Sequence, residues 1–349
     1  MPRALPPLAV PVVAAPMAGG PSTVALAAAV GAAGGLGFLA AGYRTAEQVA
    51  GDVAQLRAAG GAPFGVNLFV AGRPADPAVL SGYAERVAAW ARRYGVAPGE
   101  PRFHDDDLPA KVDLLAELAP DVVSFTFGLP PLDAVDRLHT AGSAVWVTVT
   151  GPEDAVAATA AGADALVVQG WEAGGHRGGV AEEEPGRFGL LPLLALVRRV
   201  TGLPLVAAGG IADGAGVAAV LTAGASLAQL GTAFLRTPEA GTVPQHAAAL
   251  TDPLRPTTVT RAFTGRRARA LVNQASVELG DDAPAAYPEV HFLTAPVRAA
   301  ARAAGDVEGM HLWAGQAHGL AGELPAGELV RRLGAEAREA LAGAARRLG

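Results

Sequence analysis

The sequence predicts a (β/α)8, or TIM, barrel with an inserted or C-terminal helical subdomain, and three observations lead there. Short β-branched runs alternate with alanine-rich runs over most of the chain, the pattern of parallel strands joined by crossover helices. The strand-like runs number eight, which is the number that closes such a barrel. The 349 residues, 51% hydrophobic and only 17% charged, suffice for one barrel of about 250 residues with a large core and an appended segment.

The expected strands are 10–17, 36–40, 64–70, 122–127, 144–150, 165–169, 205–208 and 227–230. Between them, alanine-rich helices are expected at 23–33, with Ser22 as the cap, at 45–59 and at 214–223. About 50 residues separate the third and fourth strands, more than a crossover needs. They hold two expected helices, 83–94 and 111–118, as an excursion over the barrel rim. After Leu250 the alternation stops, and Pro-, Arg- and Ala-rich sequence leads through expected helices near 294–304 and 329–348. The expected organisation is therefore a barrel over 1–250, with the excursion near 71–120, and a C-terminal helical lid or subdomain and tail over 251–349.

Composition narrows the function. A net charge of -6 and a pI near 5.7 leave no electrostatic footprint for nucleic acid, and no Lys/Arg run suits an anionic membrane. The expected partner is a small molecule, with self-association left open. Without cysteine there is no disulfide, thiolate nucleophile or Cys-ligated metal, and a reducing cytoplasm is the compatible compartment. The uncharged stretch 24–42 approaches the length of a membrane span, but Gly31, Gly34, Gly35 and Gly37 break it into helix, turn and strand. Prolines at 2, 6, 7 and 11 make the N-terminus a poor match to a secretory signal.

In a barrel, ligands meet the residues just after each strand. Ala15-Pro16-Met17-Ala18-Gly19-Gly20 turns sharply after the first strand and lets backbone approach a flat ligand, though a tight turn explains it equally. Asn67 places an amide inside an apolar strand, where it either holds a polar ring edge or is a satisfied structural group. The strongest signal is Gln169-Gly170-Trp171-Glu172-Ala173-Gly174-Gly175-His176-Arg177-Gly178-Gly179, directly after the sixth strand. Its glycines permit close packing while presenting one imidazole, and histidine is suited to taking a proton from a carbon acid near neutral pH. A loop histidine taken alone is more often structural; the five glycines around His176 make it the candidate general base.

Two further glycine turns follow the seventh and eighth strands: Ala207-Ala208-Gly209-Gly210-Ile211-Ala212-Asp213-Gly214 and Gln229-Leu230-Gly231-Thr232. Such turns form an anion site, and barrels often hold phosphate with these two loops. The alternative is an ordinary pair of turns, with Asp213 capping the next helix. The remaining histidines lack metal-ligand spacing, and His104-Asp105-Asp106-Asp107 reads as a solvated loop, so no metal is expected.

Together these motifs resemble the nitronate monooxygenase family, formerly the 2-nitropropane dioxygenases, over about 11–317. The most specific match is Gln169 through Gly178; 208–214 and 229–232 match the family's phosphate loops, with further matches at 16–20, 65–70, 264–273 and 313–316. The resemblance implies FMN as cofactor. Met17, Asn67 and Gln169 would touch the flavin, Gly174 would lie against it, and Gly209, Gly210, Gln229, Gly231 and Thr232 would surround its phosphate. It implies oxidation by O2 of alkyl nitronates, and in some members neutral nitroalkanes, to a carbonyl compound and nitrite, with His176 taking the α-proton of a nitroalkane. This chain departs from many relatives in carrying Thr126 where they have histidine, and 287–298 gives no clear match to their substrate contacts. The rival readings are an NAD(P)H-dependent quinone or enoyl-thioester reductase of the same superfamily, a flavin-free barrel acting on a phosphorylated metabolite, and a non-catalytic ligand-binding protein.

Overall fold

A computed structural model describes residues 4–182 and 186–348. Its centre is a ring of eight parallel strands: β1 (Val12–Ala14), β2 (Gly37–Ala40), β3 (Phe64–Phe69), β4 (Val122–Thr126), β5 (Ala144–Val149), β6 (Ala165–Gln169), β8 (Leu205–Ala208) and β9 (Leu227–Leu230), with a short β7 (Gly175–His176) outside the ring. Pairing runs β1-β9-β8-β6-β5-β4-β3-β2, and a parallel bridge from Val13 to Leu36 closes it. The fold is the expected (β/α)8 barrel. Strand β1 is shorter than the expected 10–17, since Pro11 and Pro16 flank it and neither can donate to a ladder.

Strand residues are buried on both faces, which is why they read as apolar runs without alternation. Inward side chains, among them Phe38, Trp146, Val167 and Val206, fill the barrel. Leu5 and Leu8 pack beneath them, and Trp146 Nε1 donates to the Ala4 carbonyl at 2.8 Å. The N-terminal segment thus closes one end of the barrel, leaving the other, at the C-terminal ends of the strands, for a ligand.

Helix starts follow local chemistry. Thr23, not the expected Ser22, caps the helix Val24–Ala32 by accepting from the Leu26 amide; the Ser22 hydroxyl instead accepts from the Met17 amide and fixes the first loop. Thr45 and Gln48 form a capping box before Ala46–Ala59. The stretch 24–42 is a helix, a turn and a strand, and among the described residues no helix is long and apolar enough to cross a membrane.

The interval between β3 and β4 carries helices Ser81–Arg93 and Leu108–Leu118. Leu108–Leu118 joins the barrel's outer layer, whereas Tyr83, Val87 and Trp90 of the other pack with Val290, Leu293 and Val297 of the helix Glu289–Ala303. The C-terminal span, expected to be helical, also contains an antiparallel pair, β10 (Thr257–Thr260) and β11 (Ala268–Leu271), and β11 pairs with β7. The last helix, Ala326–Leu348, packs against Val24–Ala32 and Gly214–Thr222 and so stands in the ring of outer helices. Glu336 on it accepts from the Gly214 amide at 3.0 Å.

Candidate active site

A cavity of about 480 Å³ opens at the C-terminal ends of the strands, and the structure brings all ten residues singled out from sequence to its wall: Met17, Asn67, Gln169, Gly174, His176, Gly209, Gly210, Gln229, Gly231 and Thr232.

Asn67 is buried on β3. Its Nδ2 donates to Ser124 Oγ (2.9 Å) and Thr126 Oγ1 (2.9 Å) of β4, and Thr126 Oγ1 lies 3.4 Å from Thr148 Oγ1 of β5. Parallel pairing puts Asn67 opposite Ser124, so this polar floor follows from register. Its amide nitrogen is a satisfied structural group, and it also lines the cavity. Thr126 therefore serves as an acceptor in the floor.

The loop 169–179 is rich in glycine and leaves many carbonyls without a ladder partner, so guanidinium groups take them up. Arg177 donates to the carbonyls of Gly170 (2.6 Å) and Gln169 (3.2 Å), Arg266 to those of Arg177 (3.0 Å) and Gly179 (2.7 Å), and Arg269 to that of Trp171 (2.8 Å). Arginine suits this task because its planar fork presents several fixed donors. The Gln169 side chain spans the loop, donating to the His176 carbonyl at 3.0 Å and accepting from the Gly178 amide at 2.9 Å. Gly174 is required by close approach: a Cβ there would lie 2.4 Å from the Gly315 nitrogen. Sequence reasoning marked the loop's glycines; two of the three arginine staples, Arg266 before β11 and Arg269 on it, come from a hairpin it did not expect.

His176 Nε2 lies 2.9 Å from Thr264 Oγ1, and its ring is enclosed by Phe127, Tyr287 and Trp313 at centroid distances of 5.5, 5.9 and 5.2 Å. Burial above all, then the charges of Arg266 and Arg298, drive its pKa down to about 3. The imidazole is thus neutral at physiological pH, with a lone pair to offer.

The far wall is a second cluster that sequence reasoning missed. Arg298, 8% exposed, donates from Nε to Thr294 Oγ1 (3.0 Å), from Nη2 to the His291 carbonyl (2.9 Å) and Nδ1 (3.3 Å), and from Nη1 to His311 Nδ1 (3.3 Å). Among the described residues no carboxylate pairs with it. Burial lowers its pKa to about 10, which leaves it cationic at neutral pH. Burial, with Arg298 next, holds His291 down at about 2 and His311 well below its ordinary value. Because arginine only donates, both Nδ1 atoms accept, and each neutral ring carries its proton on Nε2. The wall therefore presents one buried cation and two N–H donors. Thr294 and Arg298 follow His291 on one face of the helix Glu289–Ala303, but His311 joins them from a separate stretch, which no local spacing marks.

The turns after β8 and β9 line the same cavity with backbone rather than with charged side chains. The amides of Gly209, Gly210, Gly231 and Thr232 have no hydrogen-bond acceptor among the described residues, while Thr232 Oγ1 accepts from Gly315. Gly209 and Gly210 have φ of 111° and 72°, the left-handed region that turns amides outward. Asp213 does cap Gly214–Thr222, accepting from Gly216 at 2.8 Å, so the capping turn and the amide cradle coexist in one loop. A cradle of unpaired amides fits a phosphate group.

His104, Asp105 and Asp107 form an exposed group with ligand atoms within 4.8 Å of one another. Asp106, read from sequence as part of a solvated run, instead turns inward to Lys111 at 2.7 Å.

The barrel thus offers one cavity lined by unpaired backbone amides, a neutral histidine and a buried cation, at the strand ends where barrel enzymes hold their ligands. Comparison with known proteins identifies the group: the profile of the nitronate monooxygenase family matches residues 6–336, and the chain belongs to this family of flavin-dependent oxidoreductases. It is 42% identical to a nitronate monooxygenase of Pseudomonas aeruginosa (94% of this chain, 96% of the relative) and 41% identical to one of Paraburkholderia phytofirmans (95% and 93%). It superimposes on the structure of a nitroalkane oxidase from Streptomyces ansochromogenes with a TM-score of 0.94 at 50% identity, covering 97% of this chain and 98% of that one.

Proposed function

We propose that this chain uses FMN to oxidise alkyl nitronates with O2, giving a carbonyl compound and nitrite, and that His176 is the base when the substrate arrives as a neutral nitroalkane. The observation that carries this reading is that the neutral His176 ring, the Arg298 cation and the unpaired amides of Gly209, Gly210, Gly231 and Thr232 line one cavity.

Bound FMN would supply the electron acceptor. Its phosphate would sit on the amides of Gly209, Gly210, Gly231 and Thr232 beside Gln229; Asn67 and Gln169 would meet the edge of its ring, and Met17 and Gly174 would lie against it. Arg298 attracts an anion, and its charge together with the Nε2–H groups of His291 and His311 stabilises negative charge on nitro oxygens. The same field that binds an anionic nitronate weakens His176 as a base, so the site favours the nitronate over its neutral parent. In the tautomer in which Thr264 donates to the Arg266 carbonyl (3.3 Å), His176 Nε2–H donates to Thr264, and Nδ1 is the atom that takes the proton. The aromatic box of Phe127, Tyr287 and Trp313 limits water around it. Lack of cysteine suits a reducing cytoplasm.

The test is the visible spectrum of the purified protein before and after anaerobic addition of ethyl nitronate, with NADH in parallel. Bleaching of bound flavin by the nitronate, and nitrite release on admitting air, support the reading. Bleaching by NADH alone would replace it with the reductase, and a colourless protein that FMN does not reconstitute would overturn the cofactor assignment. His176→Asn should lose turnover of neutral nitroethane about 10²- to 10⁴-fold while keeping turnover of ethyl nitronate.

A further inference from the structure

Among the described residues, five that are not glycine have left-handed backbone: Tyr43, Asp106, Asp107, Ala119 and Phe127. Tyr43 and Phe127 line the cavity, and Asp106 and Asp107 lie in the loop directly behind Tyr43. Such conformations are unfavourable for side-chain-bearing residues and persist only where the surroundings enforce them.

At Tyr43, with φ of 66°, the enforcing contact is visible. Its amide donates to Asp106 Oδ1 at 2.8 Å. Asp106 Oδ2 accepts from Lys111 Nζ at 2.7 Å, and the same Nζ donates to the Ala41 carbonyl, two residues before Tyr43, at 3.0 Å. Lys111 is fully buried at the start of the helix Leu108–Leu118. One ammonium group therefore ties the acid and the chain around Tyr43 together. A buried ion pair is a weak source of stability, because desolvating two charges offsets their attraction, so this one is better explained by the geometry it enforces.

What it enforces is one wall of the site. The Tyr43 ring stacks on His291 at 4.3 Å and 5° between planes, its edge meets Phe69 at 5.5 Å, and its hydroxyl accepts from Tyr287 at 3.1 Å. His291 in turn accepts from Arg298. We infer that Lys111 and Asp106 are positioning residues: through the strained Tyr43 they fix His291, and with it the anion-binding wall, although neither reaches the substrate. The inference rests on the proposed nitronate chemistry for its kinetic readout, and on backbone geometry alone for its structural one.

Lys111→Met by itself leaves a buried carboxylate unpaired and is expected to fold poorly. The decisive variant is therefore the neutral pair Asp106→Asn/Lys111→Met, made in the unaltered holoenzyme and again in a Tyr43→Gly background. Glycine adopts the left-handed conformation unaided and has no ring to place. In the unaltered background the pair should raise KM for ethyl nitronate about tenfold, as Tyr43 spends less time in the binding geometry, with kcat within about twofold. Hydrogen exchange at the Tyr43 amide should accelerate in parallel. In the Tyr43→Gly background the pair should change KM by less than about twofold. An equal KM change in both backgrounds, or an unchanged Tyr43 exchange rate, would overturn the inference. If the unaltered protein turned over no nitronate, the functional reading alone would fall, and Tyr43 exchange would still decide whether the clamp exists.

Discussion

Lowering the pH from about 7.5 to about 5 should destabilise this protein more than its carboxylates alone would suggest. His176, His246 and His291 are held at pKa values of about 3, 4 and 2, and His311 well below its ordinary value, in each case chiefly by burial. In the unfolded chain each titrates near 6.5. Between that value and the folded one the unfolded state binds more protons than the folded state, so stability is present above about pH 6.5 and is lost as the pH falls toward the folded values. At pH 5 each histidine sits about 1.5 units below its unfolded pKa, worth about 2 kcal/mol. His176, His246 and His291 together set an upper limit of about 6 kcal/mol, with His311 adding in the same direction, comparable with the 5–15 kcal/mol that holds an ordinary domain together. Asp52 and Asp106, pushed up by burial, oppose the trend. The assay is urea unfolding followed by tryptophan fluorescence at a series of pH values and fixed flavin concentration, with constant m confirming that the same transition is seen. Below pH 6.5 the slope should approach four protons, and His291→Gln should reduce it by about one. Stability that stays level from pH 7.5 to pH 5, or a slope indifferent to His291→Gln, would refute the reasoning.

Other outcomes follow from single contacts. Gly174→Ala sets a Cβ 2.4 Å from the Gly315 nitrogen, so backbone must move; a loss of about 1–3 kcal/mol, read as a Tm lower by several degrees, should accompany weaker flavin retention on gel filtration. An unchanged Tm with full retention would contradict the packing described. Arg298→Met removes a buried cation with no carboxylate partner, so KM for ethyl nitronate should rise about 10- to 100-fold while urea stability holds or improves; a matched loss of stability would mean that the cation is structural. Thr264→Val deletes the hydroxyl that orients His176 and should slow turnover of neutral nitroethane about tenfold while sparing ethyl nitronate, and steady-state kinetics on both substrates checks the split.

Much of this protein can be read from local pattern. Uninterrupted apolar runs such as 165–168 and 205–208 signal burial on both faces, and glycine turns after strands β6, β8 and β9 mark where backbone must approach a ligand. Those residues converge on one cavity because every parallel strand of a barrel ends at the same rim. The opposite wall was not legible in the same way. Arg298 and His291 share one helix, seven residues apart, but His311 and Tyr43, which complete the wall, come from separate stretches, so no spacing along the chain encodes their contact with it. The run 104–107 shows the limit most clearly: three consecutive acids look solvated, yet the left-handed turn at Asp106 aims its carboxylate inward at Lys111. Periodicity tells a residue which face to bury. Only closure of the barrel, with the C-terminal segment folded over its mouth, decides which buried charge meets which ring, because those encounters depend on distances that local sequence does not set.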